Sequence, residues 1–344
     1  MVGAMSRLPA PCPVPYHRLA TLRPAWGAPA KPVLTVAAAF IAYIVLISVV
    51  LVLTILVLAV APGVNVAIGV TSGDPTSPLD VTLALAMGSM WLPAGIVGVR
   101  VGGWRPLGTA WSVAARLRRE RWRTHTIGGA VMGLLVVLAA AVAGGVAGPG
   151  GGVGAGASVP QLLLVALVVL LLAPVQAAGL ELALRGVVMQ ALGTWLRSPV
   201  VPFLAATAVM LIGRELTAAV VVPSLALGLC AAVLAWKSGG LELPIVLTTT
   251  LTITSHLVSA IGAGGGAAAG AAALNAAVAA PGTSSAALAD HAAGGALAGG
   301  ITAAAVMLVV TAAAVVRLGA RDGVRLLEPV GRPAEEPAPA AIPH

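Results

Sequence analysis

Long apolar runs without a single charge constrain this chain more than any other feature of its sequence. Residues 33–61 contain no Asp, Glu, Lys or Arg, and the run exceeds the roughly 20 residues that a membrane-spanning helix needs. Charged residues make up 9% of the chain, against about 25% in a typical soluble domain. Because a lipid-exposed backbone must satisfy its own hydrogen bonds, the sequence predicts an all-α, polytopic membrane helix bundle.

Eight apolar runs, six of them without any charged residue, predict eight transmembrane helices. The fourth would measure about 50 Å as one straight helix, so it has to tilt strongly, extend past the membrane, or break near Pro174 or Gly186. The eight predicted spans cover residues 33–61, 81–101, 127–146, 160–192, 200–213, 216–236, 243–261 and 301–316.

The spans divide the chain into three parts. We predict an N-terminal tail over 1–31, a membrane domain over 32–318 and a disordered C-terminal tail over 319–344. Within the membrane domain, the Ala- and Gly-rich stretch 262–300 is predicted to be a flexible or partly helical external loop.

Basic residues predict the orientation. The first tail, the ends of the even-numbered spans and the loops after them hold every Lys and Arg except Arg185 and Arg214. The positive-inside rule therefore places both termini in the cytoplasm and the protein in the plasma membrane. The net charge of +8 belongs to these loops, so we predict the lipid bilayer as a partner and no nucleic acid.

The most basic stretch lies at 100–123 and allows two interpretations. Residues 114–122 are compatible with an amphipathic segment on an anionic leaflet, and equally with a solvated loop that only sets orientation.

Four ionisable residues lie within or beside the predicted spans. Glu181 and Arg185 stand at positions i and i+4 of one helix, so we predict a structural ion pair that fixes helix packing. Arg214 and Glu215 mark a wet turn between the fifth and sixth spans. His256 shares a helix face with Thr248 and Thr252, and we expect hydrogen-bonded packing there rather than a metal site.

Several motifs resemble the CPBP family (CAAX-protease and bacteriocin-processing) of intramembrane metalloproteases, in its actinobacterial form. The P-Y-H-R-L-A sequence at 15–20 and W-R-P-L-G-T at 104–109 resemble the family's early segments. The catalytic four-helix core of the family would correspond to residues 160–261.

The resemblance implies a zinc site built from three motifs, all of which are altered here. In E-E-x-x-x-R, Leu180 stands at the first Glu, while Glu181 and Arg185 are retained. In F-x-x-x-H, the His position is Arg214, and in H-x-x-x-N the two positions are Thr248 and Thr252. Leucine cannot accept a proton, and arginine repels a cation. We therefore expect the Arg214 guanidinium to take the place of the lost cation and to pair with Glu181.

The altered motifs predict a catalytically inactive pseudoprotease that binds or scaffolds membrane partners. No catalytic residue, metal or cofactor is predicted, although active family members would bind zinc. The first alternative is a working metalloendopeptidase of the CAAX-processing type that uses displaced groups such as Glu181, Asp290 or His256. The second is a transporter-like protein, which intramembrane charge would also fit.

Overall fold

The computed structural model describes residues 13–22, 28–60, 74–102, 106–148, 157–262, 265–279 and 293–332. In this part of the chain, seven helical segments are long and apolar enough to span a membrane, which confirms the all-α polytopic bundle. The helices are α1 Ala30–Val60, α2 Pro78–Ser89, α3 Trp91–Gly102, α4 Gly108–Trp111, α5 Arg119–Ala147, α6 Val159–Glu181, α7 Gln190–Leu192, α8 Val200–Val209, α9 Ala218–Ser238, α10 Glu242–Ile261, α11 Gly266–Val278 and α12 Ala293–Asp322.

The apolar surface of the bundle faces outward, as a membrane requires. Helix α1 carries large exposed side chains along its length, including Val57 at 64% and Val60 at 82% exposure. It packs inward on α3, where the absence of a side chain at Gly98 lets Thr35 and Ala39 approach. Exposed valine at this density is costly in water and favourable in lipid.

The fourth span is one long helical rod over Val159–Leu192. Pro174 does not interrupt it, but a π-helical segment at Leu182–Met189 joins α6 to α7. This irregularity includes Gly186, where a Cβ would lie 2.8 Å from a Leu182 methyl carbon and 3.1 Å from the Ala110 carbonyl oxygen. The predicted deviation near Gly186 is therefore present as a π segment rather than a break.

The fifth span is shorter than predicted. Helix α8 ends at Val209 and a turn carries the chain to Arg214, so the helix itself measures about 15 Å. Helix α8 begins at the face where His17 contacts the Arg197 carbonyl. The next helix, α9, packs at Ala219 against Gly300 of α12.

The two ends of the described chain meet at one face of the bundle. Strand β1, Val14–Pro15, pairs antiparallel with β2, Gly331–Arg332, and the 3₁₀ helix Tyr16–Thr21 follows β1. An even number of crossings is needed to bring both ends to one face. The seven long spans are an odd number, and the two shorter apolar helices of the described chain are α8 and α11.

Residues 266–278 are helical, as one alternative predicted, but the helix is buried, so the prediction of an external loop is wrong for them. Helix α11 enters the bundle beside Gly144 and Gly148 of α5, and Leu274 and Ala277 on it are fully buried. Gly295, near the start of α12, also lies beside Gly144, so α11 and α12 begin at the same face. Small side chains allow this dense packing. The intervening residues 280–292 lie outside the described part.

The predicted disorder of 319–344 is wrong for its first part. The Lys237 ammonium donates to the carbonyl oxygens of Arg325, Leu326 and Glu328, at 2.6, 3.1 and 2.7 Å. These bonds and the β1–β2 pair attach residues 325–332 to the bundle. Residues 333–344 lie outside the described part.

The basic stretch is neither a surface helix nor a fully solvated loop. Arg118 is buried and forms a bidentate ion pair with Glu242, with Nη2–Oε2 at 2.7 Å and Nε–Oε1 at 3.0 Å. This pair attaches the turn before α5 to the first residue of α10. Arg121 pairs with Asp322 at 2.8 Å, while Arg116 pairs with Glu120 at the surface.

Candidate functional site: a buried polar cluster

A polar cluster of Glu181, Arg185 and Thr248 lies in the interior of the bundle. The Arg185 Nε and Glu181 Oε2 atoms are 3.3 Å apart, and both side chains are fully buried. The Thr248 hydroxyl donates to Glu181 Oε1 at 2.9 Å and links the π-helical span to α10. The structure thus contains the predicted Glu181–Arg185 ion pair, with a third partner from another helix.

Arg185 also reaches a third helix. Its Nη2 donates to the Gly228 carbonyl of α9 at 2.9 Å and lies 4.0 Å from the Met210 sulfur. Gly228 lies where Thr207 of α8 approaches, and a Cβ at Gly228 would meet the Thr207 methyl at 2.5 Å. The ion pair therefore connects the π segment to α9 and α10 at once.

Three polar atoms of the cluster lack a hydrogen-bond partner among the described residues: Glu181 Oε2, Arg185 Nε and Arg185 Nη1. The 3.3 Å ion contact brings two of them together without hydrogen-bond geometry. An unpaired polar atom in a buried site costs about 1–3 kcal/mol, and more when it is charged. The attraction between the Glu181 carboxylate and the Arg185 guanidinium offsets this cost.

A ladder of side-chain to backbone bonds runs along α10 from the cluster. The Thr252 hydroxyl donates to the Thr248 carbonyl at 2.9 Å, and His256 Nδ1 donates to the Thr252 carbonyl at 2.8 Å. Since a carbonyl only accepts, Nδ1 carries the proton. The expectation of hydrogen-bonded packing at His256 is confirmed, as is back-bonding of these threonines to the preceding turn.

Arg214 does not join the cluster. Its guanidinium donates to Ser224 Oγ at 3.1 Å and to the carbonyl oxygens of Ala276 and Ala279 at the end of α11. It forms no ion pair with Glu181 in the described structure. We had expected an arginine at this motif position to pair with Glu181 in place of the lost cation, and that expectation is wrong. The predicted wet turn between the fifth and sixth spans is exposed at Glu215, but Arg214 in the same turn is buried.

The positions that correspond to the protease motifs are closed off from solvent. Leu180, Glu181, Arg185 and Thr252 are 0% exposed, and Thr248 is 1% exposed. A peptide would have to separate α6 from α10 to reach them. Within the described residues, no group of three His, Cys, Asp or Glu side chains is placed to hold a metal ion.

Two further polar contacts were not predicted. Asn275 of α11 bonds Ser259 at 3.1 Å and accepts a hydrogen bond from Ser255, so it joins α11 to the hydroxyl face of α10. Gln176 of α6 donates to the Val278 carbonyl at 3.2 Å. Both involve α11, whose Ala and Gly composition carries no amphipathic pattern that would signal a buried helix.

The chemical capacity of the cluster is limited by these partners. The Glu181 carboxylate is ion-paired with Arg185, accepts a hydrogen bond from Thr248 and is fully buried, so it does not face solvent water. Within the described residues, His256 belongs to no group of three potential metal ligands, and Asp290 lies outside those residues.

Comparison of the chain with protein-family models, with curated proteins and with solved structures finds no match. The resemblance to CPBP proteases therefore rests on the motif positions alone and stays a prediction.

Proposed function

We propose that this chain is a catalytically inactive membrane protein with a protease-like arrangement of helices, which acts by binding membrane partners. The observation that carries the proposal is the closed cluster at Glu181. Its carboxylate is buried, ion-paired with Arg185 and hydrogen-bonded by Thr248, with a leucine at the preceding position. A general base needs a free carboxylate within reach of its water.

Peptide cleavage tests this proposal. Purified protein in lipid nanodiscs is incubated with a library of fluorogenic membrane-segment peptides, with and without added zinc or the chelator EDTA. We expect no cleavage above that of the Glu181→Gln variant. Chelator-sensitive cleavage that Glu181→Gln abolishes would overturn inactivity and favour the displaced-ligand protease.

Binding is tested separately by site-specific photo-crosslinking in native membranes, with the photoreactive residue at exposed positions on α1 and α8. Discrete crosslinked membrane proteins are the expected result. If only lipid adducts form at every position, the partner-binding part of the proposal fails while the inactivity part stands.

One observation favours the transporter-like alternative. Helix α11 ends inside the bundle, and the carbonyl oxygens at such a half-helix end form cation sites in transporters. Here the Arg214 guanidinium bonds the Ala276 and Ala279 carbonyls where a cation would bind. Proteoliposome uptake of sodium or protons that Arg214→Met alters would support transport, and absence of any flux would count against it.

A further inference from the structure

We propose that a groove between α5 and α12 binds one anionic phospholipid. The lipid would come from the leaflet at the face where β1 and β2 pair, here called the terminal face. The α5–α12 groove consists of two cavities that share Leu135. The one nearer the terminal face has a volume of about 280 Å³ and the other about 470 Å³.

The charge of the groove is concentrated at one end. Arg317 and Arg321, one turn apart on α12, line the first cavity and are exposed. In the described residues neither forms an ion pair within 4 Å, whereas the nearby Arg121 pairs with Asp322. Two free guanidinium groups at headgroup level attract a phosphate, and arginine favours this ligand for its forked geometry.

A buried polar group lies in the same wall. His125 lines the first cavity, is 1% exposed, and has no hydrogen-bond partner for either ring nitrogen. A buried imidazole without a partner is unusual, because buried polar groups are nearly always hydrogen-bonded. A headgroup oxygen held by Arg317 and Arg321 would offer the His125 ring N–H an acceptor.

The rest of the groove fits acyl chains. Below the arginines it is lined by apolar side chains such as Val131, Leu135 and Val310, and the second cavity continues with Leu138 and Val142. From Thr124 to Leu135 the helix rises about 16 Å, close to half of a hydrocarbon core of about 30 Å. A phospholipid with its phosphate at Arg317 would thus place its acyl chains in the first cavity and lie in one leaflet, and the second cavity extends beyond that leaflet. Inorganic phosphate would bind only at the end of the groove that carries the arginines.

Native mass spectrometry of delipidated protein in detergent tests this proposal. The protein is titrated with dioleoyl phosphatidylglycerol, with dioleoyl phosphatidylcholine and with sodium phosphate. We expect one phosphatidylglycerol to bind about tenfold or more tightly than phosphatidylcholine, and phosphate to compete only weakly. Equal binding of both lipids would overturn the proposal, as would complete displacement by phosphate at equal concentration.

Matched variants locate the site. Arg317→Gln/Arg321→Gln should lose about tenfold or more in phosphatidylglycerol affinity, whereas Arg119→Gln/Arg123→Gln removes the same charge outside the groove and should not. Ala313→Trp fills the groove and should also block binding, unlike Ala312→Trp on the neighbouring surface. Should the double arginine variant not fold, the Trp pair decides. Equal affinity in Ala313→Trp and Ala312→Trp contradicts the groove as the site.

Discussion

At the scale of residues, the Glu181–Arg185 pair is the first test of how the bundle is held together. Arg185→Met leaves the Glu181 carboxylate buried without its cation, so we expect a loss of about 3–5 kcal/mol in unfolding free energy. Replacing both residues by methionine should cost less than this single change, because no unpaired charge remains buried. Denaturant unfolding in detergent, followed by tryptophan fluorescence, measures both variants.

Arg116→Met is the matched control for this prediction. It breaks the Arg116–Glu120 pair, whose side chains are 61% and 58% exposed, so the loss should be much smaller than for Arg185→Met. A similar small loss in Arg185→Met would show that the buried pair is not what holds the π segment in place.

The sequence spacing was sufficient to predict this ion pair but not the groups from other helices that contact it. Positions 181 and 185 face one side of any helix, whatever the tertiary fold. The Thr248 hydroxyl and the Gly228 carbonyl come from α10 and α9, and no spacing within one helix indicates which distant groups will meet there. The motif alignment likewise predicted Arg214 beside Glu181, whereas Arg214 instead bonds carbonyl oxygens at the end of α11.

His17 predicts a pH dependence at the terminal face. Its Nε2 donates to the Arg197 carbonyl at 3.2 Å. Burial lowers the pKa of His17 to about 4, against the raising effect of that bond and with a smaller lowering by Arg18. Because the unfolded chain titrates near pH 6.5, it binds the extra proton between pH 6.5 and 4. Stability is therefore full above pH 6.5 and falls by up to about 3 kcal/mol as the pH drops to 4.

The comparison of wild type with His17→Gln isolates this effect, since other buried histidines remain in both proteins. Thermal midpoints are measured from pH 7.5 to 4. The difference between the two proteins should shrink as the pH falls through this window. A constant difference would mean that His17 does not titrate on unfolding.

At the scale of elements, α11 depends on Arg214 for its inner end. Arg214→Met would leave the Ala276 and Ala279 carbonyls buried without donors, at about 1–3 kcal/mol each. We expect amide hydrogen exchange to accelerate over residues 266–279 while α10 stays protected. Glu215→Gln, at the exposed neighbouring position, should leave exchange unchanged. Uniform acceleration across the bundle would indicate a global rather than a local role.

The other end of α11 depends on glycine contacts with α5 and α12. At Gly270 an added Cβ would lie 2.3 Å from the Ala140 carbonyl oxygen, whereas at Gly145 the nearest atom is 3.8 Å away. Gly270→Ala should therefore destabilise the protein by about 1–3 kcal/mol, and Gly145→Ala should be nearly neutral, as measured by thermal unfolding. Equal thermal midpoints for these two variants would contradict the close packing of α11 against α5.

This element shows why the sequence prediction failed at 262–300. Alanine and glycine have low hydropathy contrast, so the stretch lacks the periodic pattern that indicates a buried helix. What stabilises α11 is instead the close approach of backbones at Gly266, Gly270 and Gly299, which depends on how three helices meet.

At the scale of the whole molecule, the number and order of the long spans followed directly from apolar run length, because lipid leaves the backbone few alternatives to a helix. Run length misled at 200–213, where the turn before Arg214 ends α8 early, and it did not indicate the buried helix α11. Basic residues in alternate loops predicted both termini on one face, and the β1–β2 pairing places the described ends together.

Cysteine accessibility tests this topology most directly at the short crossing. Single cysteines are placed at Glu328 and Ser198, and at Asp74 and Glu215, after Cys12 and Cys230 are changed to alanine. With a membrane-impermeant maleimide, we expect Ser198 to react from the same side as Glu328, and Glu215 from the same side as Asp74, because an even number of crossings requires α8 to connect the two faces. In intact cells, the excess of arginine beside Ser198 and Glu328 predicts that this pair is protected until the membrane is permeabilised. Reaction of Ser198 and Glu215 from the same side would mean that α8 does not cross, and the paired termini would then need another eighth crossing.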